Sequence, residues 1–144
     1  MLRVEVAHRQ SSLLLPESLV ERAVRLALPA AQGEVSVALV DDEQIRQLNA
    51  RYLGHDWPTD VLSFCLEARE GYVEGEIVCS AQTARRVAER LGCPPQQEAL
   101  LYVVHGALHL AGYDDQTPQD RQAMRTRERE ILCALGLPPP ADAA

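Results

Sequence analysis

Leu2, Val4 and Val6 alternate with polar residues at the start of the chain, the two-residue period of a strand with one buried face. The pattern then switches to helical spacing: Leu19, Val20, Ala23, Val24 and Ala27 share one face, with Pro16 placed where a helix can begin. VSVALV, residues 35–40, is a short β-branched run that predicts a second strand. DDEQIRQLNARYL follows, its acidic opening matched to the partial positive charge of a helix N-terminus. After a turn-rich stretch holding Gly54 and Pro58, the apolar run from Val61 to Leu66 and the segment GEIVCS at 75–80 predict two adjacent strands. SAQTARRVAERLG carries a serine to cap its start and Gly92 to end it. Beyond a two-proline break, CPPQQ, the segment QEALLYVVHGALHLAG is apolar almost all round and predicts a helix buried in the middle of the domain. A last helix runs through TPQDRQAMRTREREILCALG, with Thr117 as cap, Pro118 in the first turn and Gly136 as stop.

This order predicts an α+β fold: a single small mixed β-sheet packed with about five helices, the apolar one central and carrying the chemistry described below. At 144 residues the length suits one domain, expected over residues 1–137, with the Pro/Ala-rich residues 138–144 as a disordered tail. No stretch reaches the ~20 apolar residues of a bilayer span, and MLRVEVAHRQ lacks the basic-then-apolar order of a secretory signal, so a cytoplasmic location is expected.

The formal charge of −7 argues against a protein that coats nucleic acid by bulk electrostatics. Local basic patches remain, at Arg85, Arg86 and Arg90 and at Arg121, Arg125, Arg127 and Arg129, whose simplest reading is solvated helix faces. Cys65, Cys79, Cys93 and Cys133 are spaced 14, 14 and 40 apart with no CxxC pair, and read as small buried hydrophobes that stay reduced.

Against that background HGALHLAGYDD, residues 105–115, stands out. His105 and His109 lie four apart, so on a helix both imidazoles point to one place, which is half of a zinc site. Gly112 can end the helix in a left-handed conformation and let the chain double back, bringing Asp115 toward the histidines. The composite H-x-x-x-H-x-x-G-x-x-D shares its spacing with the metzincin proteases, but Gly106 stands where their general-base glutamate belongs. What remains is a three-ligand centre with an open position, the arrangement of a hydrolytic site.

HGALHLAGYDD together with PTDVLSF at 58–64 closely resembles the two signature blocks of the YbeY family of rRNA maturation endoribonucleases. The resemblance extends from about Val35 to Leu137, through VSVALVDDEQIRQLNARYLGHD, EGEIVCS and the closing helix. It implies a zinc-dependent, single-strand-specific endoribonuclease of 16S rRNA 3′-end maturation and ribosome quality control, with rRNA and the small ribosomal subunit as partners. It also implies that His105, His109 and Asp115 act through the metal they hold. Arg51 and His55, the nearest cationic residues, and Thr59, Asp60 and Ser63 beside them are candidate substrate contacts. For Arg51 and His55 an ordinary surface role is at least as strong a reading, and for the other three so is turn and strand-start chemistry.

Two departures from the family pattern matter. The third ligand is usually histidine; Asp115 keeps a donor but lowers the net charge of the centre to about +1, which weakens acidification of bound water and favours harder metals than Zn²⁺ alone. Asp114 is the alternative ligand. The family's Y-R-G triplet reads Tyr52-Leu53-Gly54 here, so its phosphate-holding arginine has no counterpart at that position. Two rival readings follow: a metal-stabilised ribosome-assembly factor that does not cut, and a metal-dependent peptidase or amidase, the latter requiring a glutamate such as Glu76 beside the metal water.

Overall fold

The computed structural model of the protein describes residues 1–137; the expected tail at 138–144 lies outside the described residues. The elements are β1 (Leu2–His8), α1 (Glu17–Ala27), β2 (Gln32–Val40), α2 (Asp42–Leu53), β3 (Val61–Arg69), β4 (Tyr72–Ser80), α3 (Ala81–Leu91), α4 (Pro95–Leu110) and α5 (Pro118–Ala134). The fold is α+β, in the predicted succession. The strands form one mixed sheet in the order β1-β2-β4-β3, with β1, β2 and β4 parallel and β3 antiparallel to β4. The β3–β4 pairing runs on to Arg69 and Tyr72, past a bulge between Cys65 and Glu67, and so exceeds the apolar runs that announced it. Its outer half is exposed, and a backbone ladder can continue there without an apolar pattern to betray it.

Strand alternation sorts the interior into two parts. Val35, Val37 and Leu39 of β2 and Ile77 and Cys79 of β4 face α1 and α4 in the main core. Val40, Val78 and Leu62 point the other way and meet Ile45 of α2 in a smaller cluster. The α4 helix is the central one: Leu100, Val103, Val104, Ala107 and Leu108 are fully buried, and burying each leucine contributes about 1.5–3 kcal/mol.

The helix ends follow local chemistry. Asp41 accepts the Gln44 backbone N–H at 2.8 Å while Gln44 Oε1 accepts the Asp41 N–H at 3.1 Å, a reciprocal cap for α2. Ser80, fully buried, accepts the Thr83 N–H and donates to Asp42 at 2.5 Å, tying the starts of α2 and α3 together. The prolines expected to separate two helices in fact open α4: Pro94 caps it and Pro95 is its first residue, where a missing N–H leaves nothing unsatisfied. The cysteines also need correction. All four are free thiols, but only Cys79 is buried; Cys65 and Cys133 are exposed.

Candidate metal centre

The position of α4 is set by its contact with the sheet. A Cβ added at Gly106 would lie 2.8 Å from Ile77 Cγ2, 2.9 Å from Ser63 Oγ and 3.3 Å from Val61 Cγ2, so the helix backbone rests directly on β3 and β4. Ser63 Oγ donates a 2.8 Å hydrogen bond to the Gly106 carbonyl and fixes the register. A glutamate at this position, as in the protease pattern, has no room. With Gly106 against the sheet, His105 and His109 lie on an adjoining face of the helix, part-exposed to solvent, and His105 meets Glu128 of α5.

The helix ends in two bonds of a Schellman turn: Gly112 N–H to the His109 carbonyl at 3.1 Å and Tyr113 N–H to the Leu108 carbonyl at 2.9 Å. Gly112 has φ 101°, a conformation that a side chain would strain, and Tyr113 packs against the main core. The chain is thereby reversed. Asp114 Oδ1 then accepts the Asp115 N–H at 2.8 Å, and Arg121 of α5 donates to the carbonyls of Asp115 and Gln116, each at 3.2 Å. Asp114 therefore stabilises the turn, and Asp115 is the residue delivered to the histidines.

The three donor atoms form a compact triangle. His105 Nε2 and His109 Nε2 are 3.1 Å apart, and each is 3.6 Å from Asp115 Oδ2. A tetrahedral cation bonded at 2.0–2.1 Å requires its ligands about 3.3–3.4 Å from one another, so the triangle fits a single divalent ion. The side chains of His105, His109 and Asp115 keep 29%, 30% and 43% of their exposure, which leaves one side of the site open to solvent.

A fourth residue supports the donor set from behind. Glu128 Oε2 of α5 lies 3.0 Å from His105 Nδ1. An ionised carboxylate only accepts, so Nδ1 carries the proton and Nε2 offers its lone pair to the centre, the usual support of a metal-bound imidazole. Burial pushes the His105 pKa down, but the bond to Glu128, its charge and those of Asp115 and Asp60 outweigh it, and the pKa is raised. Glu128 was not foreseen. Its signal is its place on α5, in line with buried Met124, Ile131 and Leu135: a carboxylate inside an apolar stripe needs a partner.

The remaining candidates are distributed unequally. Thr59 Oγ1 donates to Asp60 Oδ1 at 3.3 Å, and the same oxygen accepts the Val61 N–H at 2.8 Å, so both build the entry to β3 beside α4. Ser63 seats the helix. His55 stacks on Trp57, and Arg51 lies over Tyr52 on the α2 side, lining a groove of about 650 Å³ together with Glu76. Glu76 is adjacent to Ile77, which touches Gly106, so strand alternation points it away from α4 and removes it as the glutamate of the peptidase reading. Several members of the arginine clusters are engaged internally: Arg86 pairs with Asp42, Arg85 donates to the Ser12 carbonyl, and Arg127 donates to the Leu26 carbonyl.

Fold and cluster together define a class, small α+β proteins that offer a two-histidine, one-carboxylate site for a divalent cation on a buried helix. Residues 5–136 match the family model described as Endoribonuclease YbeY. The chain is 45% identical over 108 residues to the Endoribonuclease YbeY of Rhodopirellula baltica, a match spanning 74% of this chain and 56% of that one. It is 40% identical over 144 residues to that of Desulforamulus reducens, spanning 94% of each, and 39% identical to that of Pelotomaculum thermopropionicum, spanning 93% and 97%. A solution structure of a Thermotoga maritima protein superimposes with a TM-score of 0.65 at 28% identity, covering 91% of this chain and 90% of that one. The chain belongs to the YbeY family.

Proposed function

We propose that the protein is a single-strand-specific endoribonuclease dependent on one metal ion, zinc in the first instance, acting in the cytoplasm on 16S rRNA 3′ ends of the small ribosomal subunit and in ribosome quality control. The observation that carries this reading is the convergence of His105, His109 and Asp115, with Glu128 orienting His105 from the far side. His105, His109 and Asp115 would hold the cation, which would supply Lewis-acid chemistry to a phosphodiester oxygen and to the attacking hydroxyl group. The chain's own residues do the rest. His105 and His109 present neutral nitrogen donors, Asp115 lowers the local charge, and Arg121 holds the turn that carries Asp115. Asp115, Glu128 and Asp60 place negative charge near His105, which a cation held at the site would offset for an approaching phosphate.

The test is His109→Ala, assayed for bound metal by elemental analysis and for chelator-sensitive cleavage of a single-stranded RNA. Both should be lost; full cleavage by the variant would end the proposal. A second reading, a metal-stabilised assembly factor that does not cut, draws on exposed Leu53 in place of the family arginine and on the internally engaged arginines. It predicts metal binding and ribosomal association with no chelator-sensitive cleavage.

A further inference from the structure

Large apolar side chains seldom stay exposed in a cluster without a reason, and three of them fall within six residues here. Tyr52, Leu53 and Trp57 are 57%, 52% and 57% exposed, at the end of α2 and in the loop that leads to β3. The rings are ordered. His55 and Trp57 stack with centroids 4.7 Å apart and planes 8° from parallel, and Tyr52 meets Phe64 of β3 edge to face at 5.5 Å. The loop beneath them is pinned: buried Asn49 donates to the Trp57 carbonyl at 2.9 Å, its own carbonyl accepts the His55 N–H at 3.2 Å, and Arg46 pairs with Asp56. A rigid backbone that presents the flat face of an aromatic pair to solvent is prepared to bind another flat ring.

The loop also leads toward the metal centre. Trp57 is four residues before Val61, whose side chain lies against Gly106, the neighbour of His105. Four residues of extended chain span at most about 14 Å, so the platform and the cluster fall within the reach of a short oligonucleotide.

We propose that the stacked His55–Trp57 pair, flanked by Tyr52, is a platform on which an unpaired base of single-stranded RNA stacks, holding the strand while its backbone crosses the metal centre. This rests on the endoribonuclease reading above and adds to it how the strand is gripped. Stacking suits this chain because its net charge is −7 and Arg85, Arg86 and Arg127 are tied to neighbouring elements, so base stacking supplies affinity that does not depend on a basic surface. Base–aromatic stacking tolerates any sequence, as a strand-holding site needs.

Trp57 is the only tryptophan of the chain, so its fluorescence reports the platform directly. The zinc-loaded protein is titrated with a 2′-O-methylated single-stranded oligoribonucleotide, which resists cleavage, and with an abasic strand of the same length. The base-bearing strand should quench the emission and the abasic strand should not. By anisotropy of a labelled strand, Trp57→Ala should bind about tenfold more weakly or worse, with unchanged metal content, while Trp57→Phe keeps most of the affinity. The slope of log K against log salt should be no steeper than about −1.4, the value for two phosphate contacts on a single strand. Equal quenching by the abasic strand, wild-type affinity in Trp57→Ala, or a steep salt slope would each overturn the platform. Because the probe is not cleaved, the two readings separate. Base-dependent quenching without cleavage of natural RNA would sink the nuclease and keep the platform, whereas chelator-sensitive cleavage with unaltered Trp57→Ala binding would do the reverse.

Discussion

Replacing Glu128 by glutamine keeps the shape of the side chain and an oxygen that can accept from His105 Nδ1, but removes the charge. Glu128 is 12% exposed and its bond is 3.0 Å, so solvent screens the pair only weakly. A hydrogen bond to a charged group contributes about 1.5–3 kcal/mol and a neutral one about 0.5–1.5 kcal/mol; the difference, near 1–1.5 kcal/mol, is roughly tenfold in metal affinity. This agrees with the ~10–100-fold effect of residues that support metal-bound histidines. The variant also has a pH signature. In the metal-free protein the His105 pKa is raised because Glu128 and the neighbouring carboxylates overcome burial; without the Glu128 charge burial gains ground and the pKa falls. A metal must displace that proton, so wild-type affinity declines as pH drops through the raised value, and in Glu128→Gln the decline starts at lower pH. Competition titration with a chelator between pH 5.5 and 8.5 should show the tenfold deficit at the alkaline end narrowing toward the acid end. A deficit that stays constant with pH, or none, would refute the assignment of Glu128 as the group that sets the charge and tautomer of His105.

Asp115→Ala removes a ligand rather than its support and should lower metal affinity by more than the ~100-fold upper end for supporting residues, measured by the same titration. Gly106→Ala places a methyl group 2.8 Å from Ile77 Cγ2; over-packing of about 1–3 kcal/mol against a helix-propensity gain of ~1 kcal/mol leaves a net loss near 1 kcal/mol, and a rise in the urea midpoint in chelator would show that α4 is not seated on β3 and β4 in this way. Ser80→Ala should cost about 1–3 kcal/mol by removing both the α3 cap and a buried donor to Asp42, read from urea unfolding. Burial pushes the Asp42 carboxyl up, but bonds from Ser80, Arg86 and Thr83 hold it below its ordinary 3.8; its stabilisation is complete above that value and lost as pH falls through the lowered one, so Asp42→Asn should flatten the acid limb of the stability curve.

The legible part of the site was the part written within one helix and the turn that ends it. His105 and His109 share a face by the period of the helix, and Gly112 announces the reversal that brings Asp115 back. The spacing favours Asp115 and keeps Asp114 as the alternative; what occupies Asp114 instead, the Asp115 backbone N–H in a turn held by Arg121, is a matter of the folded turn. Glu128 lies 23 residues beyond His105 on another helix, and its stripe on α5 says that it is enclosed without saying by what. Likewise, β-periodicity shows that Glu76 and Ile77 face opposite ways but not which of them meets α4.

The order and type of the elements, the caps of α3 and α5, the central place of α4 and the shared face of its two histidines follow from the sequence alone, because each depends on interactions between residues a few positions apart. Only the tertiary structure decided the order of the strands, the face on which α2 lies, the approach of Glu128 and the display of Trp57. Those depend on which surfaces exclude water together, and any pair of apolar faces can satisfy that need until close packing, such as Gly106 against Ile77, admits one arrangement.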